Sequence, residues 1–289
     1  MFRTSPVQLA VLAALAAIPL TGTSTGAAGA SPERPTASTA FPNPTRISNR
    51  WLPLVPGRQW ILDGRADSGK GLKPHRVVMT VTDLTKVING VRTVVVWDRD
   101  YSEGRLVESE LAFNAQDGQG NVWNFGEYPE VYSRGKFKDA PDTWIPGVAG
   151  AKAGVAMLAA PRVGTPAYSQ GWAPAIDFAD RARVFQAGQR TCVPAGCFGN
   201  VLVTDEWDAL DPSGGHQRKF YAAGVGNVRI GAVGGDKETL ALVKSARLCP
   251  PAVAQGRAAA LAMDQRGRRV SKVYRQTTTV QHTLRAPNC

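Results

Sequence analysis

The chain has 289 residues, of which 43% are hydrophobic and 20% charged, and its formal net charge is +11. This composition excludes a disordered chain and a small disulfide-rich module, and the length is sufficient for one large or two small packed domains. The 30 glycines and 20 prolines favour many short strands joined by tight turns over a bundle of helices.

The N-terminal region has the pattern of a signal peptide over residues 1–30. Arg3 precedes an apolar run at Val7–Leu20, which small residues follow. The run is shorter than the about 20 residues that a membrane-spanning helix needs. Residues 31–50 are rich in Pro, Ser, Thr and Ala and predict a flexible leader. We therefore expect a secreted, extracellular protein that does not span a membrane, with its folded domain beginning at residue 51.

Residues 51–248 predict an antiparallel β domain, because apolar or alternating segments are separated by turn residues. Asn89-Gly90 predicts a type I′ hairpin turn, since both residues tolerate positive φ, and Glu103-Gly104 predicts a second two-residue turn. The predicted strands cover residues 59–64, 77–87, 91–101, 106–113, 122–125, 182–186, 200–207, 217–221, 227–233 and 239–248.

Residues 249–289 predict one helix followed by a basic tail. The helix is expected over the alanine-rich segment 252–265, which begins behind Pro250-Pro251. The basic residues of this region are Arg257, Arg266, Arg268, Arg269, Lys272, Arg275 and Arg285. Against them stands only Asp264, so the region could bind an anionic cell-wall polymer, or it could be a solvated helix face. Nucleic acid is not an expected partner outside the cell.

The predicted fold is mainly β: a curved antiparallel sheet or half-barrel with one C-terminal helix. A weak internal repeat supports two related meanders, because the Gly-x-Gly-Asn-Val sequence of residues 118–122 returns at residues 224–228. The alternative is that two similar turns arose independently, since glycine is what such turns require.

Four cysteines predict two disulfide bonds, Cys192 to Cys197 and Cys249 to Cys289. An oxidising compartment favours pairing of an even number of thiols. The alternative is a zinc site, but the spacing is unlike that of the common zinc motifs. We therefore expect no metal. We also expect no cofactor, because the glycine-rich segments lack the features of phosphate-binding loops.

An acidic cluster flanks the predicted turn at Glu103-Gly104. If the turn has two residues and the pairing is regular, Arg99 lies opposite Glu108 and the acids divide between the two faces as surface ion pairs. A three-residue turn would instead gather the four carboxylates on one face, as a cation site or an acid/base pair. The turn dipeptide favours the ion-pair interpretation. The four acids are Asp98, Asp100, Glu108 and Glu110.

Two further groups are candidates for chemistry. Asp117–Asn121, followed by Glu127, has alternate oxygen ligands as in a calcium loop, although a hairpin turn explains the pattern more simply. His216 is expected beside Asp205 and Glu206 of the neighbouring strand, where it could be a general base or an ordinary packed histidine.

Aromatic residues are frequent in and around the predicted sheet. On a concave face they could hold an acyl chain, an isoprenoid or a sugar ring; the alternative is an ordinary core. The candidates for ligand binding are Trp97, Trp123, Trp144, Trp172, Trp207 and Tyr221.

Three segments carry a resemblance to a known family. Ala115–Glu127, with its Gly-Asn-Val-Trp-Asn-Phe-Gly-Glu sequence, Gly150–Gly154 and Phe220–Gly226, with its Tyr-Ala-Ala-Gly-Val-Gly sequence, resemble a family of uncharacterised exported bacterial proteins. The resemblance covers roughly residues 51–248 and implies an exported, sheet-dominated domain. It implies no activity and no catalytic residues.

Three functions are compatible with these features. The first is an exported protein that binds an apolar, lipid- or isoprenoid-like ligand or a carbohydrate. The second is an extracellular hydrolase or lyase that acts on polysaccharide through paired carboxylates. The candidate catalytic residues are Asp98, Glu108, Glu110, Glu127 and His216. The third is a structural protein of the cell wall, held by the basic tail.

Overall fold

The structure is a computed structural model that describes residues 40–67 and 71–285. The predicted fold class is confirmed: the chain is mostly antiparallel sheet with a single C-terminal helix. The signal-peptide prediction, and the predicted leader up to residue 39, lie outside the described residues. No helix in the described ranges is long and apolar enough to cross a membrane.

Fifteen strands within the described ranges form one sheet. In the first half they are β1 (Arg58–Ala66), β2 (Lys73–Ile88), β3 (Val91–Ser102), β4 (Arg105–Gln116), β5 (Val122–Ser133), β6 (Lys136–Asp139), β7 (Lys152–Met157), β8 (Tyr168–Ser169) and β9 (Gly171–Trp172). In the second half they are β10 (Asp180–Val193), β11 (Gly196–Asp208), β12 (His216–Ala222), β13 (Gly226–Val233), β14 (Thr239–Arg247) and β15 (Gln281–His282). The helix α1 (Pro250–Val270) follows β14, and two short 3₁₀ turns lie at Pro174–Ile176 and Tyr274–Gln276.

Two meanders make up most of the sheet. Strands β1 to β5 pair in chain order, strands β10 to β14 do the same, and β14 pairs with β1 to join them. The two Gly-x-Gly-Asn sequences occupy corresponding positions, one before the third strand of β3-β4-β5 and one before the third strand of β11-β12-β13. This arrangement is compatible with both interpretations of the repeat.

The sheet is nearly closed by the short segment that contains β8 and β9. Ser169 pairs with Arg181 of β10, whereas Trp172 pairs with Lys152 of β7. Gln170 lies between these strands, and its backbone N–H donates to the carbonyl of Asp180 over 2.8 Å. A five-residue segment therefore connects the two free edges and gives the sheet an enclosed inner face.

The apolar side chains form two main clusters on opposite faces. The inner cluster includes Trp60, Leu62 and Val96, all nearly inaccessible to solvent. The outer cluster includes Phe113 and Tyr128, and α1 and the following turn cover it. Burial of these two faces supplies the main hydrophobic stabilisation of the fold.

The folded region begins before Trp51, earlier than the sequence indicates. Ile47 is 2% exposed and belongs to the inner cluster. The Asn49 side-chain amide donates to the carbonyls of Gly120 and Leu158 over 2.9 and 3.1 Å. Residues 40–50, which composition assigns to a flexible leader, thus include an apolar anchor and a buried polar anchor.

The basic residues of α1 are partly used to hold the helix on the sheet. Arg257 pairs with Asp83, which is fully buried. Arg266 donates from Nε and Nη2 to the carboxylate of Glu130 over 2.7 and 2.6 Å. These two cations stabilise the packing of the helix, so they contribute less to an anionic-polymer surface than the tail composition suggests.

The predicted Cys192–Cys197 disulfide is confirmed. The two residues lie opposite each other in the β10–β11 hairpin, with Cα atoms 4.0 Å apart. The predicted Cys249–Cys289 bond ends at Cys289, which lies outside the described residues.

Candidate functional site

The β3–β4 hairpin has the two-residue turn that its sequence predicts. Ser102 pairs with Arg105, and the φ angles of Glu103 and Gly104 are 50° and 76°. Both values lie in the left-handed region that a type I′ turn requires at its central positions. The turn chemistry was therefore predicted correctly.

A β-bulge next to this turn changes the pairing of the acidic residues. Tyr101 pairs with Leu106, but Asp100 pairs with Glu108, so β4 contributes one extra residue between these pairs. Beyond the bulge, Asp98 pairs with Glu110. All four acids therefore share one face, and the ion-pair interpretation is wrong.

Arg99, the expected partner of Glu108, lies on the other face. It pairs in register with Ser109, and its guanidinium lies 3.9 Å from the ring centroid of Trp97. Arg99 is thus engaged with an aromatic ring beneath α1, and its charge opposes, but does not overcome, the effect of burial on the pKa of Asp98.

Burial of these carboxyl groups favours their protonated forms. Asp98, Asp100 and Glu110 are each less than 9% exposed. Burial raises the pKa of Asp98 to about 6 and that of Glu108 to about 8, the latter helped by the charge of Asp98. Burial and neighbouring acids also raise the pKa values of Asp100 and Glu110 well above their usual range.

The acidic face borders a cavity of about 70 Å³ inside the sheet. Its charged lining residues are Asp98, Glu110, Glu127, Glu206 and Lys219, and its amide-bearing lining residues are Asn114, Asn124, Gln170 and Asn227. Leu54, Val96 and Ala112 contribute part of an apolar wall. The majority of the lining residues are polar, which is unusual for the enclosed face of a sheet.

Strand β5 holds Glu127 against both the cavity and a neighbouring loop. The Asn124 amide donates to Glu127 Oε1 over 2.6 Å, and the Trp144 indole donates to Oε2 over 3.0 Å. Gly126 permits this close approach: its φ is 110°, and a Cβ there would lie 2.5 Å from the carbonyl oxygen of Trp144. A side chain at position 126 would therefore displace Glu127 from the cavity wall.

The opposite wall contains a buried ion pair. Lys219 of β12 lies 2.8 Å from Glu206 of β11, and Thr204 and Tyr221 also donate to Glu206, over 2.7 and 3.3 Å. Burial lowers the pKa of Lys219, but the contact with Glu206 more than offsets this and leaves the pKa above its usual value. The interior of the sheet thus stabilises a fully desolvated ammonium group.

Gln170, in the segment that closes the sheet, contributes an unsatisfied acceptor. Its side chain is 2% exposed and lines the cavity. The side-chain oxygen Oε1 finds no hydrogen-bond partner in the described part of the chain. A buried acceptor without a donor is costly, so this atom is a position where a ligand donor would be favourable.

His75 of β2 lies at the acidic end of the inner face. Its Nε2 is 3.0 Å from Glu238 and 3.7 Å from Asp100, and the contact with Glu238 lacks hydrogen-bond geometry. Gln217 donates to the other oxygen of Glu238 over 2.7 Å. This group extends the polar region beyond the cavity lining.

Most of the aromatic candidates lie away from the cavity. Trp97 lies under α1, with Gly256 of the helix against its ring, and Trp123 donates to Asp117 Oδ2 over 2.8 Å. Trp144 packs on Phe178 and reaches the cavity only through Glu127. Trp172 is half-buried in β9.

Tyr221 is the one aromatic candidate among the described residues that line the cavity. Trp207 stacks instead on the ring of His216, with the two centroids 5.2 Å apart. His216 Nδ1 lies 3.2 Å from Asp205, and the His216 side chain is 39% exposed. His216 and Asp205 thus form the expected histidine–carboxylate contact, but neither residue lines the cavity.

The calcium-like sequence at Asp117 is a hairpin turn. Asp117 Oδ1 accepts from the backbone N–H groups of Gln119 and Asn121, and Oδ2 accepts from Asn121 and Trp123. Protein donors thus occupy the oxygens that a cation would need. Across the described ranges, no group of three or more His, Cys, Asp or Glu side chains is arranged to hold a metal ion.

Sequence reasoning missed several lining residues: Asn114, Asn124, Gln170, Lys219 and Asn227. Lys219 and Tyr221 are two positions apart on a predicted strand, which places them on one face. That spacing could have indicated a charged inner face. The other four are isolated amides, and only the fold brings them together.

No protein-family model and no curated protein matches the chain. One similar solved structure is a Bacteroides fragilis protein described as exported and as having a YmcC-like fold. Its sequence is 16% identical and the TM-score is 0.39; the match covers 68% of this chain and 99% of that chain. Another is a Parabacteroides distasonis protein described as a lipoprotein, 12% identical with a TM-score of 0.31, again over 68% and 99%. At these values, the function has to be argued from the residues of this chain.

Proposed function

We propose that this is a secreted, extracellular binding protein whose inner cavity takes the terminal unit of a carbohydrate. The observation that carries the proposal is the cavity lining, which combines four carboxyl groups and four side-chain amides with an apolar wall. Carboxylates and amides are the groups that accept and donate hydrogen bonds to sugar hydroxyls. The N-terminal sequence pattern supports export.

The composition of the walls favours a carbohydrate over an apolar ligand. An acyl or isoprenoid chain would desolvate Asp98, Glu110 and Glu206 without offering them hydrogen bonds, which is unfavourable. A sugar ring offers hydroxyl groups at its edge and C–H groups on its face. The hydroxyl groups can form hydrogen bonds with the acidic wall, and the C–H groups can pack on the apolar wall at Leu54 and Val96.

The size of the cavity limits what can enter. A volume of about 70 Å³ is small beside the roughly 300–1,000 Å³ of pockets that enclose a whole ligand. This favours insertion of one terminal unit, with the rest of the saccharide outside the sheet. An acyl chain would likewise leave most of its length outside, so the volume limits the size of the inserted unit and the wall chemistry decides its class.

The test is a binding screen on the secreted form of the chain, with a glycan array of neutral, amino-bearing and acidic oligosaccharides and with palmitate as the apolar probe. We expect saturable binding of at least one class of oligosaccharide and none of palmitate. Glu110→Gln should weaken binding, because Glu110 lines the cavity. Glu103→Gln is the matched control, since Glu103 lies in the turn of the same hairpin with its side chain 54% exposed. Binding of palmitate without binding of any saccharide would overturn the proposal.

A second candidate function is hydrolysis or lysis of a polysaccharide by a carboxyl pair. The observation that favours it is the pairing of Asp98 with Glu110, since the pKa of Asp98 is raised to about 6 while that of Glu110 is raised well above its usual range. Two carboxyl groups with different proton affinities can divide the roles of base and acid. Chromatography of a bound polysaccharide after long incubation checks this: turnover that Glu110→Gln abolishes supports it, and an unchanged saccharide excludes it.

The third function considered from the sequence, a wall-associated structural protein, has less support. Arg257 and Arg266 are engaged with Asp83 and Glu130 on the sheet. Any attraction to an anionic wall polymer would depend on the remaining basic residues of the tail. Sedimentation with purified cell wall, with and without added salt, is the direct measurement.

A further inference from the structure

Acceptors outnumber donors on the walls of the cavity. Four carboxylates line it, at Asp98, Glu110, Glu127 and Glu206. Lys219 is the one cationic side chain among the described residues of the lining. The lining is therefore rich in acidic side chains, although the whole chain is basic with a net charge of +11.

Two donors on the walls already have carboxylate acceptors. Lys219 pairs with Glu206 at 2.8 Å, and the Asn124 amide donates to Glu127 over 2.6 Å. Gln170 lines the same cavity, and its buried side-chain oxygen has no donor among the described residues. A ligand that supplies donors would satisfy it, whereas a ligand rich in acceptors would add further unsatisfied groups.

The pair of Lys219 and Glu206 demonstrates which ligand group this interior can stabilise. Lys219 is only 5% exposed and yet retains an ammonium in contact with a carboxylate. An ammonium combines three hydrogen-bond donors with a positive charge, and charge-assisted bonds to carboxylates are among the strongest hydrogen bonds in proteins. The carboxylates of Asp98 and Glu110 lack a comparable lysine on their side of the cavity lining.

We infer that the saccharide unit taken by this cavity carries a free primary amine, as in an amino sugar that is not N-acetylated, and that its ammonium group is received by Asp98, Glu110 and Gln170. This inference rests on the proposed function and specifies its ligand class. The ammonium neutralises the acidic wall and donates to the Gln170 oxygen. Leu54, Val96 and Ala112 then contact the C–H face of the sugar ring.

N-acetylation is the chemical change that separates this ligand class from a neutral sugar. It removes the charge and replaces three donors with one N–H and one carbonyl acceptor. It also adds a methyl group at the end that faces the carboxylates. All three changes oppose binding at a wall that is rich in acceptors.

The experiment compares two trisaccharides that differ only in acetylation: the trimer of glucosamine with free amines and the trimer of N-acetylglucosamine. Each is titrated calorimetrically into the secreted form of the chain, at a pH where the amines are protonated. Loss of a charge-assisted contact predicts that the free-amine trimer binds at least about tenfold more tightly. Asp98→Asn and Glu110→Gln should each reduce this preference, and Glu103→Gln should leave it unchanged. Urea unfolding of each variant establishes that it is folded.

The outcomes separate the inference from the proposed function. Equal or tighter binding of the acetylated trimer would overturn the inference and leave carbohydrate binding in place. A preference for the free amine that survives both cavity variants would also overturn it, because the amine would then bind elsewhere. Failure of both trimers, while another saccharide of the array binds, refutes the amino-sugar assignment alone. Failure of every saccharide refutes the inference together with the proposed function.

Discussion

Asp98 should make the folded protein less stable as the pH rises, contrary to the usual behaviour of a carboxylate. Its pKa is raised from 3.8 to about 6 in the folded state, mainly by burial. A group with a raised pKa binds its proton more tightly in the folded protein than in the unfolded chain. Between these two pKa values the unfolded chain loses the proton first, so the free energy of unfolding falls as the pH rises through this window.

The size of the effect follows from the shift. A rise from 3.8 to about 6 corresponds to about 3 kcal/mol of lost stability at neutral pH. This value is an upper bound for Asp98 alone, because the four carboxyls of the cluster interact and release their protons in steps that belong to the group. Asp98→Asn retains the shape and an acceptor oxygen for the Arg99 N–H, which now donates over 2.7 Å. We therefore expect the variant to be more stable than the parent by about 1–3 kcal/mol at neutral pH and to be equal to it in acid.

The assay is urea unfolding of parent and variant across a series of pH values. The free energy of unfolding of the variant minus that of the parent is plotted against pH, and this difference should rise with pH. The difference isolates Asp98 from other groups, such as Glu206, whose pKa is lowered through its contact with Lys219. Glu103→Gln is the control, and its difference curve should be flat because Glu103 is in the exposed turn. A difference curve for Asp98→Asn that is flat, or that falls with rising pH, would refute the raised pKa and with it the desolvation of the acidic wall.

Two predictions concern the packing of α1. Lys86 and Asp264 form a buried ion pair at 2.8 Å, so Lys86→Met should lower the free energy of unfolding by about 3–5 kcal/mol. Adding Asp264→Asn should restore part of it, because the amide removes the unpaired charge and keeps an acceptor oxygen for the Tyr274 hydroxyl; a small effect of the single change would contradict this. Gly267→Ala should destabilise by about 1–3 kcal/mol, because its Cβ would lie 2.7 and 2.8 Å from two buried tyrosine rings. Gly256→Ala in the same helix is the control, because its Cβ would meet only ordinary contacts at 3.6 Å and beyond. Thermal unfolding should show that this variant is stabilised by up to about 1 kcal/mol. If both glycine substitutions changed the stability in the same direction, the packing argument would be refuted.

Turn chemistry was the most predictable part of the structure from sequence. Asn89-Gly90 and Glu103-Gly104 adopt the positive φ angles that their residue types allow. The bulge in β4, between Leu106 and Glu108, was not predictable in this way, because no residue type there requires it. A shift of one residue in the pairing transfers every following side chain of β4 to the other face relative to β3. The bulge therefore placed on one face the acids that regular pairing would have separated.

Alternation along the strands indicates which residues share a face, but it does not indicate which face is enclosed. In β4, Leu111 and Phe113 are on one face and Glu110 and Ala112 on the other. The usual assumption places the apolar set inside. Here α1 covers the apolar set from outside, so the tryptophan beneath the helix, Trp97, belongs to the outer cluster and the acids face inward. Sequence analysis predicted a concave binding face with an aromatic lining, and it missed the polar lining because that polarity follows from where the helix docks.

The position of the helix also explains how the chain can maintain an acidic interior. A buried carboxyl group with a raised pKa lowers stability at neutral pH, so a fold that contains several must gain stability elsewhere. In this chain the outer cluster under α1 provides it, with Tyr128 and Tyr274 fully buried and the ion pair of Lys86 and Asp264 beside them. That packing is on the opposite face from the cavity, so it does not compete with the carboxyl groups of the inner wall for space. The outer face thus adds its packing to that of the inner cluster and offsets the cost of the buried acids.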